Sequence, residues 1–363
     1  MVNSFAISPP ERGHLSRTGH IWGAYMLVYK VGCSHNDLLE APPRTVIRLL
    51  SLEFKSMMLS FANRTVIVTG GAGALGRAIS VAFAEAGANV VVNDLGGSLS
   101  GEGSSESASA EVVQYIHQMG LSAVADSNSV TEGEKIINTA IEKFGRVDVL
   151  INTAAIAHFA PIEDLTPDIF RRILEVNAIG PMSLIHHAWP HFKKQKYGRV
   201  VNFTSDSIFG MRNSSAYVLS KGALVGVNKT LALEGAPHGI TVNCAAPCAF
   251  SRLWSDFMKD LPREQQEEWR QKYTGESNVP MILALAHEKN DITGKIFSLG
   301  AYSIGRMTLG TVSGPQNIHT MEECFSNNES IIGKDKKVYE PDNVEEFLEL
   351  KATLTDYAER ADA

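Results

Sequence analysis

Tyr217 and Lys221 stand four residues apart in the stretch AYVLSKGALVG at 216–226. On a helix that spacing puts both side chains on one face, one turn from each other. An ammonium so placed favours the phenolate and draws a phenol of ordinary pKa, about 10, toward working pH, as a proton-transferring tyrosine needs. The pattern also arises by chance, and its other reading is a surface pair on an amphipathic helix.

A second constellation lies earlier in the chain. TGGAGALGRAIS (69–80) joins a β-branched run, TVIVTG (65–70), to a helical stretch, ALGRAISVAFAEAG (74–87). Glycines there let the backbone approach a pyrophosphate, whose charge meets unpaired N–H groups at the helix N-terminus. Without a ligand the same glycines make a tight strand-to-helix turn. Asp94 closes the next run, NVVVND (89–94), and completes a βαβ unit of dinucleotide-binding size. A carboxylate there accepts from adenosine ribose hydroxyls and repels a 2′-phosphate, so NAD is the expected cofactor and NADP the less favoured one. Its other reading is a cap for the turn at Gly96 and Gly97. Arg77, just past the last glycine, is expected to face solvent or the pyrophosphate side.

These groups need a scaffold, and the pattern of short apolar runs supplies one. SAVA (122–125), a helix around 131–144, VDVLIN (147–152), a helix around 167–193 bounded by Pro190, GRVVNFTS (198–205), the Tyr/Lys helix and ITVNCAAP (240–247) follow in turn, with GKIFSLG (294–300) as the last strand. Strands alternating with helices specify an α/β fold with a doubly wound parallel sheet, the Rossmann architecture. LGGSLSGEGSSESASA (95–110) reads as a mobile surface loop. Residues 250–293, rich in Trp, Met and charge, read either as a lid or substrate helix pair or as extra helical packing. The domain runs over 61–310, after an extension at 1–60 and before a second at 311–363. The latter holds a polar turn region and one amphipathic helix, PDNVEEFLELKATLTDYAER (341–360), opened by Pro341.

With 33 Lys and Arg against 40 Asp and Glu, a net charge of −7 and no basic run, the composition argues against nucleic acid as a partner. Cys33, Cys244, Cys248 and Cys324 show no CxxC or Cys/His ligand spacing, so no metal site is expected and buried, reduced thiols are. IWGAYMLVYKVGC (21–33) is interrupted by Lys30, is too short to span a bilayer and lacks the layout of a secretory signal, so no stable membrane insertion is expected. RTVIRLLSLEFKSMMLSF (44–61) spaces basic residues among apolar ones, as a targeting helix, a docking helix or a poorly ordered leader would. The final ADA is not an SKL-type address. The expected setting is cytoplasmic, with peroxisome and mitochondrion left open.

Taken together, TGGAGALG, NDLGG, INTAA, VNAIG and the Ser/Tyr/Lys block resemble the short-chain dehydrogenases/reductases over roughly residues 61–310. Within that family the likeness is greatest to the (3R)-hydroxyacyl-CoA dehydrogenase part of peroxisomal multifunctional enzyme type 2, through VVVNDLGG, KYGRVV and GALVGVNKTLALEG. The resemblance implies that Thr69, Gly70, Gly73, Leu75 and Gly76 shape the phosphate loop and Asp94 holds the adenine ribose. Asn128 and Ser129 fall near adenine, where the family often has Asp followed by an aliphatic residue. Asn152 opens the wall by the nicotinamide ribose, here Asn-Thr-Ala-Ala. Pro247 and Ser251 fall at nicotinamide or pyrophosphate contacts, with Cys248 in place of a frequent glycine. Ala74 replaces a glycine of the family pattern, a change that suits a backbone of negative φ.

The resemblance further implies Ser205 as the catalytic serine, twelve residues before Tyr217, with Thr204 at thirteen as the alternative. Asn177 matches a structural and proton-relay asparagine, against a plain reading as a capping or core residue. Tyr217 then acts as acid and base, Lys221 lowers its pKa and binds the ribose hydroxyls, and Ser205 holds the substrate oxygen. The implied substrate is a small molecule, a 3-hydroxyacyl or 3-oxoacyl thioester. The alternatives are a polyketide, terpenoid or steroid alcohol of a specialised pathway, and a non-catalytic NAD(H)-binding scaffold or sensor. A homodimer or homotetramer is implied by the same likeness.

Overall fold

The computed structural model describes residues 59–258 and 261–351. The extension at 1–60, including the 21–33 and 44–61 stretches, lies outside the described residues apart from its last two positions.

Five-residue β1 (Thr65–Thr69) is fully buried, as a β-branched run between helices on both faces should be. It leads through α1 (Ala74–Glu85) to β2 (Asn89–Asn93), then through α2 (Ser107–Gln118) to β3 (Ala123–Asp126). The chain next runs through α3 (Gly133–Phe144) to β4 (Val149–Asn152), placed on the far side of β1. β5 (Gly198–Phe203), β6 (Ile240–Pro247) and β7 (Ile296–Gly300) extend the parallel sheet. The strand order is β3-β2-β1-β4-β5-β6-β7-β8, so the winding reverses between β1 and β4. Ligands of such sheets sit outside the strand carboxyl ends at that reversal.

One face packs Phe83, Val112, Ile116 and Ile282 against Val66, Val68 and Val92. The other packs Ile136, Leu184, Phe192 and Leu231 against Ile67, Val91 and Leu150. These are the two alternating faces of the same strands.

Three elements depart from the sequence expectations. β7 is not last, because β8 (Ser303–Met307) turns back antiparallel and forms the edge. Ala301 and Tyr302, both at positive φ, make that reversal. The expected helix at 167–193 is α4 (Pro167–Leu174), a π turn (Glu175–Ile179) and α5 (Gly180–Gln195), and Pro190 lies inside α5 instead of ending it. Residues 95–110 are not all loop, since α2 begins at Ser107.

Residues 250–293 form α7 (Arg252–Met258), α8 (Arg263–Lys272) and α9 (Val279–Ala286). The polar region after Met307 contains α10 (Met321–Ser326), opened by a Thr320/Glu323 capping box, and α11 (Asn328–Ile332). The last amphipathic helix is described over 344–351, and its expected continuation to 360 lies outside the described residues.

Candidate active site

Tyr217 and Lys221 lie on α6 (Ser215–Gly235), and both are buried at the floor of a cleft of about 720 Å³. The end of β5 brings Ser205 to them in extended conformation, where it caps a 3-10 turn at Asp206–Phe209 by accepting from the Ser207 N–H at 3.1 Å. The Ser205 side chain stands beside the Tyr217 phenol and acts on its pKa as a hydrogen-bonding neighbour. Thr204, the alternative hydroxyl, is turned away and donates to the Lys221 carbonyl at 2.9 Å. The Lys221 ammonium donates to the Phe203 carbonyl at 2.6 Å and lies 5.7 Å from the centre of the Tyr217 ring.

The electrostatics differ from the expectation that Lys221 simply depresses the phenol. Burial pushes Tyr217 up to about 12, and Ser205 opposes that rise. Burial also pulls Lys221 down to about 8, with the nearby Cys244 thiol opposing. Both groups lie out of water, and desolvation acts against each charged form separately.

Asn177 falls in the π turn, a distortion frequent at functional sites. Its Oδ1 accepts from the Ile156 N–H at 2.8 Å, and its Nδ2 donates to the Ile156 carbonyl at 2.8 Å and to the Ser220 hydroxyl at 3.0 Å. Ser220 in turn donates to the Tyr217 carbonyl at 2.7 Å. The side chain therefore ties the wall after β4 to the helix that carries Tyr217. Both amide hydrogens are spent on this, so a relay through Asn177 would have to use its main chain.

The glycine-rich loop after β1 lines the same cleft with Gly70, Gly73, Leu75 and Gly76. Gly70 has φ of +62°, and a Cβ on Gly76 would sit 2.1 Å from the Gly70 carbonyl oxygen, so these two positions require glycine. Ala74 and Ala155 are not among the positive-φ residues, and the substituted glycines cost no backbone strain. No side chain caps the first turn of α1. Asp94 makes the turn contacts of its second reading. Its two carboxylate oxygens accept from the Ala72 and Gly96 N–H groups at 2.9 and 2.8 Å, and the residue lines the cleft. Arg77 is exposed and stacks over the Tyr115 ring at 5.1 Å, on the solvent side.

Asn128, Ser129, Pro247 and Ser251 also reach the cleft. The Asn128 amide points back to Asp126 at 3.0 Å, and Ser129 caps the short 3-10 turn that follows it. Thr69 and Asn152 do not line the cleft. Thr69 is buried and accepts from the Ala154 N–H at 3.2 Å, and Asn152 donates to the Asn202 side chain at 2.8 Å.

Thr69 and Asn152 stand in a single row with Asp126, Asn93, Asn202 and Cys244 across six strands, and of these residues Asn93 lines the cleft. No pattern within one strand reveals it, because its members meet only through pairing.

Sequence reasoning also missed the roof. The 95–110 stretch is not simply a surface loop, for Ser98, Leu99 and Gly101 line the cleft and the Leu99 carbonyl accepts from the Ala157 N–H at 3.0 Å. On the opposite side Trp254 of α7 stacks on Trp269 of α8 at 5.1 Å, and Trp269 on Tyr273 at 4.4 Å. Among the cysteines, Cys244 is buried as expected, whereas Cys248 stands half-buried in the cleft wall and Cys324 is exposed. Among the described residues no helix is long and apolar enough to cross a membrane.

The sequence pattern of the short chain dehydrogenases matches residues 64–264. The chain belongs to that family. It is an NAD(P)-dependent oxidoreductase of the short-chain dehydrogenase/reductase type. It is 38% identical over 304 residues to the peroxisomal hydratase-dehydrogenase-epimerase of Saccharomyces cerevisiae, covering 83% of this chain and 31% of that protein. It is also 38% identical over 296 residues to the mouse peroxisomal multifunctional enzyme type 2, covering 79% of this chain and 39% of the relative. The chain thus spans less than half the length of either. The crystal structure of a short chain dehydrogenase from Mycobacterium avium superposes with a TM-score of 0.64 at 29% identity, covering 77% of this chain and 98% of that one.

Proposed function

We propose that this short-chain dehydrogenase moves a hydride between NAD and the carbinol carbon of a 3-hydroxyacyl thioester, or the reverse onto a 3-oxoacyl thioester, with Tyr217 as acid and base. The observation that carries the reading is the Ser205–Tyr217 pair at the cleft floor, one helical turn from a buried Lys221. The residues fit a dinucleotide. An uncapped helix N-terminus stands over the tight Gly70–Gly76 cradle, and Asp94 lies at the end of β2 with acceptor capacity left for ribose hydroxyls. Asp94 favours NAD over NADP by charge.

When bound, the nicotinamide ring supplies the hydride acceptor for oxidation and the donor for reduction. In ketone reduction Tyr217 Oη donates its proton to the carbonyl oxygen, while Ser205 hydrogen-bonds the same oxygen. In alcohol oxidation Oη takes the hydroxyl proton. A phenol near 12 is poised as donor at neutral pH, and Lys221, near 8, is charged there and can steady the phenolate that oxidation requires. Asn177 positions the helix through Ser220.

The thioester assignment rests on the multifunctional relatives, of which the yeast protein is named for a dehydrogenase combined with a hydratase and an epimerase. Those names also make the peroxisome the compartment to examine first. One observation favours a second substrate class: the Trp254–Trp269–Tyr273 stack presents flat aromatic surface beside the cleft, suited to a polycyclic alcohol. A homodimer or homotetramer is supported by the exposed Leu219 and Leu233 on α6.

The test is formation of reduced nicotinamide with NAD and NADP separately, against 3-hydroxyacyl thioesters and secondary alcohols including sterols and terpenols. Turnover of thioesters with NAD supports the proposal. Turnover confined to ring alcohols replaces the substrate, and cofactor binding without any turnover overturns the enzymatic reading.

A further inference from the structure

Asp206 follows Ser205 directly and lines the cleft with Ser207, Met211 and Cys248. Its carboxylate accepts from the Ser298 hydroxyl of β7 at 3.0 Å. Asp206 is exposed; partial desolvation raises its pKa and that hydrogen bond lowers it. Its field reaches the facing cleft wall, where the Cys248 thiol is pushed up to about 11, first by burial and then by Asp206. A carboxylate therefore lines the cleft at the residue that follows the hydroxyl that is to hold the substrate oxygen.

We propose that Asp206 sets the charge class of the substrate: the cleft admits alcohols and ketones whose reacting carbon is flanked by neutral groups, such as an ester or thioester carbonyl, and rejects free carboxylates. The substrate side of this rests on the dehydrogenase reading above, while the electrostatic effect belongs to the cleft itself. A carboxylate two carbons from the reacting centre would share the cleft with Asp206 and be repelled. The neutral thioester of the same acid would not. Phosphates carried many bonds away lie beyond the reach of this repulsion in salt.

Cys248 allows the effect to be read without any turnover. Iodoacetate and iodoacetamide are close in size and differ in charge, and either reports the potential at the thiol it alkylates. The rate ratio of iodoacetate to iodoacetamide, measured site by site through peptide mass, is expected to be lower at Cys248 than at the exposed Cys324. In Asp206→Asn, which keeps an acceptor for Ser298, the ratio at Cys248 should rise by about tenfold while that at Cys324 stays constant. In the unaltered protein the Cys248 ratio should also climb with added salt, so the effect remains measurable even where the variant does not fold.

In parallel, the kcat/KM of free 3-hydroxybutyrate relative to its methyl ester should rise by a similar factor in Asp206→Asn. A Cys248 ratio indifferent to both salt and the variant overturns the proposal. So does a Cys248 that reacts with neither reagent, since the carboxylate would then not face an open cleft. Absence of turnover on both substrates, with the alkylation ratios behaving as expected, would instead overturn the 3-hydroxyacyl reading and leave the charge selection standing.

Discussion

Asn177→Ala separates the Tyr217 helix from the wall behind the cofactor cleft. The side chain holds both peptide groups of Ile156, at 2.8 Å each, and the Ser220 hydroxyl at 3.0 Å. Ile156 is 8% exposed, so its N–H and carbonyl have no ready route to water once the amide is gone. A buried group stripped of its partner costs ~1–3 kcal/mol, which brings the two to about 4 kcal/mol. Ser220 adds little, since its hydroxyl keeps the Tyr217 carbonyl. In a domain of this size each kcal/mol lowers Tm by ~2–4 °C, so scanning calorimetry should show a fall of about 10 °C. Ser220→Ala, which removes one of the three bonds, should lose about 1 kcal/mol.

Well below both transitions, the Asn177→Ala protein should also show a several-fold higher KM for NAD, because Ala155 and Ile156 line the cleft. A purely structural role would leave KM unchanged in the folded fraction. A Tm loss under about 3 °C, or one that Ser220→Ala equals, would refute the assignment of Ile156's partners.

Tyr217→Phe should lower kcat by roughly two to four orders of magnitude, the usual worth of a general acid, with NADH affinity by fluorescence titration retained. Gly76→Ala drives a methyl to 2.1 Å from the Gly70 carbonyl and should cost ~1–3 kcal/mol together with cofactor affinity. Gly222→Ala, next to Lys221 and facing open space, should instead stabilise by ~0.5–1 kcal/mol in a urea titration.

Stability should respond to alkaline pH in two opposite steps. The native state holds fewer protons at Lys221 than the unfolded chain between about 8 and 10.5, so the cost of burying that ammonium fades over this window. Cys244 and Tyr217 keep their protons to about 12 in the fold but lose them from 9.0 and 10.0 when unfolded, so stability falls as pH rises through those values. Lys221→Met should remove the rising step and leave the falling one in urea midpoints.

The parts legible in the sequence were those whose information is local. A strand of valines, a turn of glycines and a helix of alanines each follow from short-range sterics, and β1, α1 and β2 lie within a residue or two of their expected limits. The (i, i+4) spacing likewise brought Tyr217 and Lys221 to one place. Thr69 and Asn152 show where local reasoning stops. Both lie next to the loops that form the cleft, yet strand pairing brings Thr69 to the Ala154 N–H and Asn152 to the Asn202 side chain, partners no single strand displays.

The same limit accounts for the pKa values. Spacing says that an ammonium can stand near a phenol, but not that Phe203 and Ser205 will hold the two groups dry. In that environment desolvation, not mutual attraction, governs both. The opposed shifts make a chemical pair: a phenol that keeps its proton and an ammonium whose proton is held less firmly, at the floor of one cleft. What balances them during turnover must be a charge that arrives and leaves. If so, adding NAD should lower the phenol's apparent pKa, and a pH profile of alcohol oxidation unchanged between Lys221→Met and the unaltered chain would refute that coupling.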